Sequence, residues 1–480
     1  MAERMLKFVS VPQRTPDKRD AVARRRDWDE IYRAFSAERA AEQAARCSQC
    51  GVPFCQVHCP LGNNIPDWLK LTAEGRLEEA YEVAAATNTF PEICGRVCPQ
   101  DRLCEGNCVI EKGYDSVTIG AVEKYITDTA WERGWIVPPN PRHELPFSVG
   151  IVGAGPAGMA AAEWLRRKGY AVHIYDRHDR AGGLLIYGIP NFKLEKPVVL
   201  RRWEQFAAAG IVFHQDCAVG RDVGLGELRA RHDAVLIATG VYKPREIGGP
   251  GAGLAGIVPA LDYLTASNRK GLGDRVAAFD DGTLDAAGKR VVVIGGGDTA
   301  MDCVRTAIRQ GARSVQCLYR RDRANMPGSL REVKHAEEEG VEFVWLAAPE
   351  AFLGDGRVRA VRAVRMHLGL PDATGRQQVE PIPGSSFTLE ADLVIKALGF
   401  DPEDLPTMFG EPDLACTRWG TLKIDHRTMM TSLAGVFAAG DIVRGASLVV
   451  WAIRDGRDAA AQIHRYVQAT AARPLAVAAE

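Results

Sequence analysis

Residues 149–158, VGIVGAGPAG, constrain this chain more than any other stretch: an apolar run closes on Gly153, Gly155 and Gly158, with Pro156 and Ala157 between the last two glycines. The pattern predicts a strand turning sharply into a helix. The first glycine permits the tight turn, the second lets backbone approach a pyrophosphate, and the third lets helix pack on strand. The helix N-terminus then presents free N–H groups and a partial positive charge to phosphate. A lone glycine turn says little, because such turns join strands to helices in many α/β domains. Here a helix, AAEWLRRKGY, follows, and then a strand, AVHIYD, ending on Asp176. An acid at that place suits the ribose hydroxyls of a dinucleotide.

A second fingerprint, VVVIGGGDTAMDC, carries Gly295, Gly296, Gly297, Asp298, Thr299 and Ala300. The strand that follows, SVQCLYRR, ends on Arg320 and Arg321 where the first unit has its acid. Guanidinium groups bind a 2′-phosphate that a carboxylate would repel, which favours NADPH over NADH at this site. The plainer alternative is two surface arginines at a strand end. Between the fingerprints, AGGLLIYGIPNFKLEK contains Gly182, Gly183, Leu184 and Lys193, a stretch that brings backbone and a cation toward a ligand unless it is an ordinary glycine loop. DAVLIATG (233–240) reads as a strand closing beneath a dinucleotide, and ADLVIKALGF (391–400) resembles it. Residues 350–390 read as a variable stretch of charges and turns. Near the end, GVFAAGDIVRGASLVV offers Gly440 and Asp441: the aspartate can accept bonds from a ribitol chain, and a helix starting near Ser447 can aim its dipole at a flavin. Two fingerprints with opposite charges after them predict two dinucleotides, FAD at the first and NADPH at the second. Hydride transfer between them needs stacking and distance, so no catalytic side chain is expected.

The cysteines supply a route onward. Eight of the twelve lie between Cys47 and Cys108, spaced Cys47-x2-Cys50-x4-Cys55-x3-Cys59-Pro60 and Cys94-x3-Cys98-Pro99-x4-Cys104-x3-Cys108. A helical segment, IPDWLKLTAEGRLEEAYEVAAAT, separates the two groups. In a reducing compartment such a block holds metal rather than disulfides. Clustered thiolates with proline after one of them favour iron–sulfur ligation; paired zinc sites are the competing reading, although His58 is the only histidine in the block. Cys217, Cys303, Cys317 and Cys416 read as small core residues. Residues 18–46 read as a charged helix leading into the cysteines, with Arg24 to Arg26 on a solvated face.

Composition excludes several classes. A formal net charge of -1, with 25% charged residues, exerts no pull toward nucleic acid or membrane. The first twenty residues lack the apolar core of a secretory signal, and no run approaches the roughly 18 apolar residues of a membrane span, so a cytoplasmic location is expected.

The cysteine block together with GAGPAG and GGGDTA makes nearly the whole chain resemble the small (beta) subunits of bacterial NADPH-dependent glutamate synthase, a family similar to the N-terminal part of dihydropyrimidine dehydrogenase. The resemblance implies an α/β protein: a helical iron–sulfur domain (1–145), an FAD domain (146–255 and 400–480) and an NADPH domain inserted in it (256–399), the last two Rossmann-like and disulfide-oxidoreductase-like. It further implies two [4Fe-4S] clusters with crossed ligation. Cys47, Cys50, Cys55 and Cys108 would hold one; Cys59, Cys98 and Cys104 would hold most of the other, completed by Cys94 or by Glu123. In the family, this subunit oxidises NADPH and feeds a large (alpha) subunit that makes glutamate, which implies a hetero-oligomer. Position 2 is Ala, so an N-terminal cysteine nucleophile for glutamine hydrolysis is expected in the partner. The alternatives are a related NADPH:ferredoxin or other acceptor oxidoreductase subunit and, in a different class, a non-redox zinc scaffold.

Overall fold

The computed structural model describes residues 4–372 and 377–472; residues 1–3, 373–376 and 473–480, which include the two ends of the expected domain ranges, lie outside the described residues. The cysteine-bearing part is helical. Helices Ile65–Ala73 and Leu77–Thr87 are separated at Gly75, whose φ of 80° ends the first of them, and both pack against the longer helix Ile119–Glu132. Trp68, Leu69, Ala80, Ala84 and Ile126 form the core between them.

Beyond this part, two parallel five-stranded sheets follow the same design. In the first the order is Val436–Ala438, Ala234–Ile237, Ser148–Val152, Ala171–Tyr175, Val212–His214. In the second it is Ile257–Pro259, Leu393–Lys396, Arg290–Ile294, Ser314–Tyr319, Glu342–Trp345. Each fingerprint strand therefore sits at the centre, fully covered, as the unbroken apolar runs VGIV and VVVI require. The chain leaves the first sheet after Ile237, runs through Lys243–Pro244, builds the second sheet and returns through Phe400–Asp401, which pairs antiparallel with Lys243–Pro244. It then places Val436–Ala438 at the edge beside Ala234–Ile237. The second nucleotide unit is thus inserted in the first, in a Rossmann-like α/β architecture headed by a helical unit.

Four expectations need correction. Residues 18–46 form no continuous helix: only Ala21–Arg24 and Ala37–Ala44 are α-helical, capped by Asp20 and Ser36, and Lys18 pairs with Tyr32 as an isolated bridge. The aromatic side chains that look like one helical face serve different neighbours, Trp28 packing on Phe192 and Tyr32 on His335. The described residues of 350–390, read as a stretch of charges and turns, are mostly antiparallel sheet, with the 15-residue strand Arg357–Pro371 pairing Ala347–Asp355, Gln377–Pro381 and Phe387–Glu390. The alternation of arginine with valine and alanine from Arg357 to Ala360 is the period-2 signature of that strand. Of the scattered cysteines, Cys303 and Cys317 are core residues, whereas Cys217 is half-buried and Cys416 exposed.

Arg24, expected on a solvated face, is 1% exposed. Its Nε donates to Glu339 at 3.0 Å, and its guanidinium also pairs with Glu338 at 2.7 Å. Glu339 simultaneously accepts from Arg305 at 2.9 Å and Arg309 at 2.6 Å, so the N-terminal segment is fastened to the inserted nucleotide unit through one buried carboxylate. Burial pushes this carboxyl up, and the bonds and charges of Arg309 and Arg305 more than offset that, holding it at about 2. Its folded-state pKa lies below the unfolded value of 4.5, so the stabilisation is complete above pH 4.5 and is lost as pH falls through about 2. Glu339→Gln leaves buried arginines without their counter-charge and is expected to cost about 3–5 kcal/mol at neutral pH. Thermal unfolding of the variant checks this, the difference from wild type narrowing as the pH is lowered toward 3.

Candidate functional site

The two glycine turns repeat one geometry. At Gly153 the backbone has φ 108°, and a Cβ there would stand 2.5 Å from the carbonyl oxygen of Ala238. At Gly295 φ is 146° and a Cβ would stand 2.2 Å from the carbonyl oxygen of Ala397. In both units the turn touches the end of the neighbouring strand, and only glycine fits. The second glycine of each turn, Gly155 and Gly297, faces open space with no atom within 4 Å of an added Cβ. Gly158 packs helix on strand, its Cβ position lying 2.0 Å from the Gly153 carbonyl oxygen, and Ala300 does the same duty fully buried. Gly296 lies against the ring of Tyr319.

One cleft joins the two units, enclosing about 1410 Å³ with its open mouth included. From the first turn Gly153, Gly155, Pro156 and Ala157 line it; from the second, Asp298 and Thr299. Asp176 accepts from the backbone N–H of Ala154 at 2.6 Å and of His178 at 2.8 Å, which pins the turn and leaves its carboxylate facing the cleft. Gly183, at φ 53°, packs on Gly155, and Leu184 continues the wall. Lys193 also lines the cleft; its Nζ donates to Asp302 at 2.8 Å and stands 3.7 Å from Glu332, bridging the two units. Gly440 and Asp441 close the far side, the Asp441 carboxylate accepting from the Ser447 hydroxyl at 3.0 Å and pushed up by burial. The helix behind them begins at Val449, two residues after Ser447.

Arg320 and Arg321 do not line this cleft. They follow the strand Ser314–Tyr319 that pairs with the fingerprint strand; Arg320 is exposed, and Arg321 donates from Nε to the carbonyl of Gln377 at 3.3 Å.

Several residues facing this space carry no motif. The Thr239 hydroxyl is buried in the cleft wall without a hydrogen-bond partner in the protein, a polar group left for a ligand. A connected cavity beyond Asp176 is lined by His178, Cys217 and Tyr242, with the Arg177 guanidinium stacked 4.5 Å from the Tyr242 ring. Only the Ala-Thr-Gly strand end pointed to any of these; the others come from loops whose spacing is irregular.

The eight clustered thiols divide between two small cavities. Cys47, Cys50, Cys55 and Cys108 surround one. Cys59, Cys94, Cys98 and Cys104 surround the other, together with Glu123 and Asn88. Asn88 joins both candidates for completing the second set, donating to Glu123 at 3.1 Å and lying 3.7 Å from the Cys94 sulfur. Burial pushes Cys55 to about 12, Cys59 to about 11 and Glu123 to about 8. Such thiols stay protonated on their own; a positively charged iron centre is what turns them into thiolates, and the all-sulfur donor set suits iron. Among the described residues no three such donors converge closely enough for a single metal ion. Cys98 lines both its thiol cavity and the cleft between the two units.

The fold and this site define a flavin- and pyridine-nucleotide-dependent oxidoreductase carrying an iron–sulfur unit at its head. Residues 24–135 match the family model described as dihydropyrimidine dehydrogenase domain II, 4Fe-4S cluster, and residues 147–456 match pyridine nucleotide-disulphide oxidoreductase. The glutamate synthase [NADPH] small chain of Azospirillum brasilense is 71% identical over 479 residues, 100% of this chain and 99% of that one. The corresponding small chain of Escherichia coli K12 is 44% identical, over 98% of this chain and 100% of its own. The chain belongs to the family of glutamate synthase NADPH small chains. Among solved structures, FprA from Mycobacterium tuberculosis shares the fold, with a TM-score of 0.57 at 21% identity over 68% of this chain and 86% of that one, in a complex with NADPH.

Because Gly153 meets backbone and carries a positive φ, Gly153→Ala is expected to open the first turn and release flavin. The flavin-to-protein absorbance ratio after gel filtration should fall well below that of wild type; full retention would contradict the role given to this turn.

Proposed function

We propose that this chain is the electron-input subunit of an NADPH-dependent glutamate synthase, working in the cytoplasm in a hetero-oligomer with a large subunit that forms glutamate. The observation that carries the reading is the position of Cys98, on the wall shared by the dinucleotide cleft and the second thiol cavity. When bound, FAD accepts two electrons as hydride from NADPH and the [4Fe-4S] clusters carry electrons singly toward the partner.

The chain's own residues bind and orient. The N–H groups of Gly155 and Ala157 receive a pyrophosphate, and Asp176 accepts from ribose hydroxyls. Asp441 and the unpartnered Thr239 hydroxyl face the ribitol side. The helix Val449–Ala471 directs its positive end toward the cleft, where negative charge develops on reduction. Leu184, Leu185, Ile189 and Val449 give the cleft apolar walls that exclude water. Asp298, Thr299 and the Gly295–Gly297 turn hold the second dinucleotide, with Arg320 and Arg321 on its 2′-phosphate. Cys47, Cys50, Cys55 and Cys108 hold one cluster, and Cys59, Cys98 and Cys104 the other with Cys94 or Glu123. The domain ranges 1–145, 146–255 with 400–480, and 256–399 belong to the same reading. No helix among the described residues is long and apolar enough to cross a membrane.

Replacing both Arg320 and Arg321 by Ala should lower the ratio of kcat/KM for NADPH to that for NADH by about tenfold or more, through loss of charged hydrogen bonds to phosphate. An unchanged ratio would refute that role. Cys108→Ser, which touches only the first cavity, should remove roughly half of the iron per chain while flavin is retained, metal ligation being all-or-none for a cluster. Metal analysis beside a flavin determination reads both.

A further inference from the structure

The loop that carries Cys98 and Cys104 is fastened to the inserted nucleotide unit. Between these cysteines, the Arg102 guanidinium donates to three successive carbonyls across the interface, those of Met326, Pro327 and Gly328. Beside it the Ser329 hydroxyl donates to Asp101 at 3.4 Å, and Arg331 reaches the carbonyl of Cys98, also at 3.4 Å. The far side of segment 326–329 is bound to the second glycine turn: Gly328 N–H donates to the Gly296 carbonyl at 2.9 Å, and Ser329 N–H to the Asp298 carboxylate at 2.9 Å. A Cβ at Gly328 would stand 3.1 Å from the Gly296 oxygen, so this contact leaves little slack. A planar fork of five N–H donors suits three successive carbonyls as a single ammonium does not.

We infer that Arg102 is a positioning residue for NADPH: held by the thiol-bearing loop, it fixes segment 326–329 against the GGGD turn and so sets that turn for the nucleotide. This rests on the assignment of NADPH to the second turn. Because the contact is mutual, the nucleotide in turn steadies the loop between Cys98 and Cys104, and binding at one site is coupled to the other.

The test uses the full chain with its flavin and iron in place. NADP⁺ affinity is read from the perturbation of flavin absorbance, and NADPH oxidation is followed with ferricyanide as acceptor. Arg102→Ala should raise KM for NADPH and Kd for NADP⁺ about fivefold, the worth of one or two exposed hydrogen bonds, with kcat, flavin and iron content kept. Arg102→Lys should recover part of the loss. Wild-type affinity in Arg102→Ala, or a fall in kcat and iron with KM unchanged, would overturn the inference. If the wild-type protein itself fails to bind NADP⁺, the assignment of the second turn fails instead.

Discussion

The protein depends on backbone meeting backbone at two places. Gly153 against Ala238 and Gly295 against Ala397 close two turns so tightly that no side chain can intervene. Each contact fixes the end of a central strand and the start of the following helix. Because the second unit is inserted through the paired segments Lys243–Pro244 and Phe400–Asp401, the two turns open onto one cleft rather than two separate surfaces. Through Cys98 the second thiol cavity also reaches the wall of that shared space.

Around it, buried charge joins the units. Glu339 gathers Arg24, Arg305 and Arg309, and Lys193 spans from the first nucleotide unit to Asp302 and Glu332 of the second. Glu332 also binds Arg305 and His335, whose other ring nitrogen meets the Tyr32 hydroxyl at 2.9 Å. A buried ion pair is costly to form, and its partners are costly to separate, so these networks hold the units in one relative orientation more than they add net stability. That orientation is what an electron route needs, since the distance from the cleft to the thiol cavities is set by how the units sit.

What could be read from the sequence follows from the range of the interactions. The glycine turns and the cysteine groups are local, and their spacing is dictated by a turn or by a metal; hence Gly153, Asp176, Gly295 and the eight clustered cysteines stand out in the bare sequence. Arg24, Arg102 and Tyr242 do not. Their partners lie far along the chain, and nothing in the spacing around Arg24 distinguishes a buried anchor from a solvated face. The strand Arg357–Pro371 was obscured for another reason. Its alternating arginines face solvent while valine and alanine face inward, and a charge-rich composition hides a period of two.

We propose that electrons leave the cleft through the wall that holds Cys98. Anaerobic stopped-flow absorbance on Cys98→Ser, paired with glutamate formation by a complex reconstituted with the proposed large subunit, tests it directly. The account predicts that NADPH still bleaches the flavin at the wild-type rate while glutamate formation is lost together with the iron of the second cavity. Glutamate formed at the wild-type rate by a protein lacking that iron would contradict it.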